Sequence, residues 1–170
     1  MFGNYLLKNF IVFISCVGIV LLFRIIPHPP NFTPVIALSL YLPFLFGVWS
    51  IPFCILGFAI TDYFIGFHSL LFWTWGALAF TGYTSKFCNK IHSRIILSFI
   101  GAITFFVISN FGVWISGTLY EISVKGLLNC YIMAIPFFTN TLLSTIFFAV
   151  IFELFILSKF YYLIPNFNKK

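Results

Sequence analysis

The chain has 170 residues, of which 62% are hydrophobic, 22% aromatic and only 7% charged, and its formal net charge at pH 7 is +6. Its mean hydropathy is +1.11. Three acidic and nine basic residues cannot coat a water-soluble globule, so composition excludes an ordinary soluble domain and points to a bilayer. The apolar runs are long and unbroken, as over residues 10–23 and 131–157. That is not the short alternation of an outer-membrane barrel, and it predicts an all-α integral membrane protein.

In chain order, Lys8 precedes a run of the length found in secretory signals, but no small-residue cleavage pattern follows it, only Arg24 and a proline cluster. It is expected as a retained first span over residues 9–26. The stretch RIIPHPPNFTPVIAL comes next. Its prolines end the first helix, and Thr33 is expected to cap a second helix that has Pro34 at its first position. The second to fourth spans, residues 34–46, 50–65 and 69–83, reach only about 20–24 Å, short of a hydrocarbon layer of about 30 Å. They must tilt, thin the bilayer or be partly re-entrant. The fifth and sixth spans are expected over 95–115 and 131–157.

Charge favours this count of six. With the N- and C-termini cytoplasmic, Lys8, Lys86, Lys90, Arg94, Lys159, Lys169 and Lys170 lie inside, and Arg24 and Lys125 outside. That is the bias of a bacterial inner-membrane protein. A five-span alternative would move the basic loop 84–94 to the outside. The expectation is therefore one domain, 1–170, a compact bundle of about six transmembrane helices in the cell inner membrane.

The unusual polar residues gather toward the outer side of this bundle. Arg24, His28 and Asn31 flank the prolines, Asp62 and His68 fall at the turn between the third and fourth spans, and Asn110, Trp114, Tyr120 and Glu121 end the fifth. Asn129 opens the last helix, and Asn140 lies about 15 Å deeper. Each has a plain structural reading. Arg24 with Asp62 or Glu121 makes a headgroup-zone ion pair, Asn110 with Asn140 an interhelical hydrogen bond, and Trp73, Trp75, Trp114, Tyr120 and Tyr131 an aromatic belt. Together they outline a half-membrane cavity with apolar walls and a few orienting polar groups, suited to a small neutral or zwitterionic solute. Glu153, on the inner half, is expected to pair with Lys159 or Arg94.

Cys16, Cys54, Cys88 and Cys130 show no C-x-x-C spacing and read as small apolar packing groups. No metal site, catalytic set, cofactor or nucleic-acid partner is expected, and there is no G-x-x-x-x-G-K-[ST] loop for a nucleotide.

The runs PHPPNFTP, TDYFIGFH, NFGVW with its following YE, and GLLNCYIMAIPFFTNTL resemble an uncharacterised family of small bacterial membrane proteins, over about residues 24–153. More remotely, six short helices, an N-x-T-P before a helix and an acidic residue ending the third are similar to the substrate-binding S components of energy-coupling factor vitamin transporters. That resemblance implies a capture subunit with an outward pocket, working with an energising ATPase and transmembrane partner. Such subunits dock through A-x-x-x-A on the first helix, where this chain has Ser15, Cys16 and Gly18. An assembly subunit without a pocket and a lipid-modifying enzyme using Asp62 or Glu153 are the alternatives.

Overall fold

The computed structural model describes residues 10, 14, 18–24, 26–67 and 69–158. Among these, every regular element is a helix. Residues 18–24 are helical (α1), followed by α2 (Val35–Phe46), α3 (Ile51–Ile65), α4 (Leu71–Thr84), α5 (Ile91–Ile115) and α6 (Val124–Leu157). α5 and α6, at 25 and 34 residues, are long and apolar enough to cross a membrane. α2, α3 and α4, at 12, 15 and 14 residues, are shorter than a span.

The twelve-residue α2 is the core. α2 is apolar on every side, and all its residues except Leu45 are buried, as expected of a helix with no polar stripe to offer solvent. It packs against α3, α4, α5 and α6. Pro43, near its C-terminus, supplies no N–H for the Ser39 carbonyl one turn earlier. Against that carbonyl lies Gly82 of α4, where a Cβ would come within 3.0 Å of Ser39 O. Glycine there lets the two backbones approach closely. Gly101 does the same between α5 and α4, since a Cβ on it would fall 2.7 Å from Thr81 Cγ2.

Helix starts differ from the expected ones in an instructive way. α5 begins at Ile91, four residues before the expected 95, because the Ser93 hydroxyl reaches back and accepts from Lys90 N at 3.0 Å. α6 begins at Val124 rather than 131 because the Ser123 hydroxyl accepts from Gly126 N at 3.0 Å. Thr33 is not the cap of α2. Pro34 occupies that position in helical conformation, with no side-chain hydrogen bond.

The helices alternate in direction, so one end of the bundle holds Arg24, the 26–34 loop, Asp62 and the 116–123 loop. The opposite end holds Lys86, Lys90, Arg94 and Glu153. α5 and α6 run antiparallel: Tyr131 Oη donates to Val107 O at 2.7 Å, and Arg94 meets Glu153 at 2.5 Å. Much of the outer surface is large and apolar, with Phe72 88%, Phe64 73% and Leu154 61% exposed.

Candidate functional site: a cavity beside a buried ion pair

Arg24 ends α1 in an otherwise apolar setting, where a guanidinium is costly without a partner. It finds one in Asp62, in the last turn of α3: Arg24 Nη1 lies 2.6 Å from Asp62 Oδ1. The contact is electrostatic rather than an aligned hydrogen bond, since Oδ1 receives no well-directed N–H. Nη1 instead donates to Thr61 Oγ1, and the guanidinium carbon sits 4.3 Å from the Phe58 ring centroid. Asp62 Oδ2 accepts from Trp75 Nε1 at 2.8 Å. The carboxylate is thus held from α1 and α4 and sealed at 1% side-chain exposure, whereas Arg24 keeps 16%.

That residual exposure faces a cavity of about 260 Å³. Arg24, His28, Asn31 and Thr33 supply its polar wall, and Phe58, Phe105 and Ile36 part of its apolar one. His28 Nδ1 lies 2.8 Å from Pro29 O, so this nitrogen carries the proton and Nε2 keeps a lone pair in the neutral ring. Asn31 has φ 63°, a left-handed conformation that asparagine tolerates better than most residues. A second cavity, about 130 Å³, adjoins the first and shares Asn31, Phe105 and Thr141 with it.

The loop that carries His28 and Asn31 is fastened to α6 by its backbone. Asn140 Nδ2 donates to Pro30 O at 3.0 Å, and Ser144 Oγ, whose hydrogen is shared with Thr141 O at 3.0 Å, reaches Asn31 O at 3.4 Å. One helical turn separates the two donors, so they reach the same side of α6.

The structure therefore brings together Arg24, His28, Asn31 and, through Arg24, Asp62. Asn110 lines the second cavity. Asn140 acts behind the site as the loop's anchor. The expected Asn110–Asn140 bond does not form: Asn110 Nδ2 turns to Phe106 O on its own helix at 2.8 Å. Trp114, Tyr120, Glu121 and Asn129 line neither cavity. Trp114 Nε1 is shared between the Glu121 and Ser123 carbonyls at 3.1 and 3.2 Å, tying down the α5–α6 loop. Glu121 and Asn129 are exposed, and Arg24 takes Asp62 rather than Glu121. His68 lies outside the described residues.

Thr33, Ser109 and Thr141, and the aromatic wall of Phe58 and Phe105, are site residues that pattern reading missed. Two polar pairs inside apolar helices, Ser109–Asn110 and Asn140–Thr141, are the signal that could have found the helical ones.

The opposite end holds a different arrangement. Arg94 binds Glu153 through two parallel bonds, Nε to Oε1 at 2.5 Å and Nη2 to Oε2 at 2.7 Å. Tyr41 Oη of α2 donates to Oε1 at 2.7 Å, and the Phe44 ring centroid lies 4.7 Å from the guanidinium carbon. Of the two expected partners for Glu153, Arg94 is the one observed, and Lys159 lies outside the described residues. Among the described residues no group of three His, Cys, Asp or Glu side chains is placed to hold a metal.

The chain belongs to DUF6580, a family of unknown function, whose family model matches residues 4–166. No curated protein and no solved structure matches it.

Proposed function

We propose that the chain is a multi-pass inner-membrane subunit that captures a small neutral or zwitterionic solute from the outer face, in the manner of the S components it resembles, and relies on partner chains for energy. The observation that carries this reading is the convergence of Arg24, His28 and Asn31 on one cavity backed by Phe58 and Phe105. A concave apolar site with a few fixed polar groups is the usual form of a small-molecule site. Because Asp62 neutralises Arg24, the cavity offers hydrogen bonds without demanding an anion.

The membrane placement draws on α5 and α6 and on the apolar exterior, which in water would be an aggregation surface. The orientation draws on charge. Lys86 and Lys90 are exposed at the end opposite the cavity, and that end faces the cytoplasm by the positive-inside rule. Both Asp62 and Glu153 are buried and paired with arginines, which disfavours either as a free acid or base toward a lipid headgroup. The alternative of an assembly subunit draws on α4, whose exposed Gly76 meets nothing within 4 Å.

The test is thermal unfolding of the detergent-purified chain against a panel of vitamins, nucleobases and amino acids, since a native-state ligand stabilises by mass action. One compound class is expected to raise Tm, and Asn31→Gly, which removes the side chain but keeps the left-handed backbone, is expected to abolish the rise. A flat panel would favour the assembly reading.

A further inference from the structure

Ser109 and Asn110 on α5 and Thr141 on α6 each give a hydrogen to a carbonyl one turn earlier on their own helix. Ser109 Oγ donates to Phe105 O at 2.6 Å, Asn110 Nδ2 to Phe106 O at 2.8 Å and Thr141 Oγ1 to Phe137 O at 2.9 Å. A hydroxyl has one hydrogen, so Ser109 and Thr141 have only lone pairs left, and Asn110 keeps its Oδ1. All three line the smaller cavity together with Asn31, and Phe105, Phe106, Phe137 and Phe138 supply its apolar part. The site is a pocket of oxygens in which both hydroxyl hydrogens are committed to backbone carbonyls.

Such a wall is completed by positive charge. Its volume exceeds the roughly 30 Å³ share of one water. None of the lining residues is Asp or Glu, the ligands on which calcium and magnesium sites depend. None is His or Cys either, the ligands of softer metals. Neutral amide and hydroxyl oxygens between two apolar helices suit a single charge. Arg24 lines the other cavity and is offset by Asp62 at 2.6 Å.

We propose that the Ser109–Asn110–Thr141–Asn31 pocket binds a monovalent alkali cation beside the solute cavity. Asn31 and Thr141 belong to both cavities, so occupancy of one biases the affinity of the other, reciprocally. The cation site itself does not depend on the solute reading.

The experiment uses the full chain in detergent with no organic solute, and compares Tm in NaCl, KCl and choline chloride at equal ionic strength. A saturable rise with sodium or potassium over choline is expected. Thr141→Val, which keeps the side chain's shape, is expected to raise the half-saturating concentration about tenfold, equivalent to about 1.4 kcal/mol. Ser109→Ala serves as a second variant should Thr141→Val not fold. Equal Tm in all three salts, or an alkali response unchanged in both variants, overturns the proposal. So does a rise with methylammonium chloride alone, which would make the pocket a seat for an ammonium group of the solute. Because no solute is present, failure of the compound panel and failure of this site are read separately.

Discussion

Two arginine–carboxylate pairs stand at opposite ends of one bundle and are built differently. At the lysine-bearing end, Arg94 grips Glu153 through both of its carboxylate oxygens while Tyr41 fills a further lone pair. Geometry of that kind ties α2, α5 and α6 together and fixes the carboxylate by directed bonds on both oxygens. At the cavity end, Arg24 touches Asp62 through a single nitrogen whose hydrogens point elsewhere, and part of the guanidinium remains accessible. An arginine and a carboxylate thus make a clamp in one place and an adjustable wall in the other, and the difference lies in whether the arginine's directed bonds go to the carboxylate or to its neighbours.

The largest expected effect breaks the clamp. Glu153→Ala leaves Arg94 buried without its counter-charge and is expected to cost about 3–5 kcal/mol, measured by unfolding in mixed micelles. The paired replacement Arg94→Met with Glu153→Leu is expected to cost less than that single change, since no charge is then stranded.

A smaller loss is expected at the other pair. Asp62→Asn keeps an oxygen for the Trp75 indole but removes the charge opposite Arg24, and about 2 kcal/mol is expected. The loss stays below that of Glu153→Ala because Arg24 reaches the cavity. Equal losses at the two sites would erase the distinction between clamp and wall.

The smallest effect concerns the loop. Asn31→Ala is expected to cost about 1 kcal/mol of left-handed strain, and Asn31→Gly less than Asn31→Ala, by the same unfolding assay. Equal stability of the two variants would mean the loop relaxes to another conformation.

Helix class and the need of Arg24 for a carboxylate were legible in the sequence, because an arginine among apolar residues admits few solutions. Which carboxylate was not, since Asp62 and Glu121 fall at the same end of the bundle and only packing decides between them. The early turns of α5 and α6 were hidden because I-H-S-R and V-K-G-L-L-N-C read as polar connectors; caps at Lys90 and Ser123 make them helix. The Asn110–Asn140 pairing failed for a local reason. A carbonyl one turn away satisfies Asn110, and a proline-rich loop with spare carbonyls draws Asn140 outward.

The brevity of α2 has an electrical consequence on the proposed placement in a bilayer. Twelve residues insulate over about 18 Å, where an ordinary hydrocarbon layer insulates over about 30 Å. A membrane potential dropping across the middle of the bundle would therefore produce a steeper gradient there than through the surrounding lipid. Any charge moving along that axis would exchange energy with the voltage, up to about 2.3 kcal/mol per elementary charge for a full 100 mV drop.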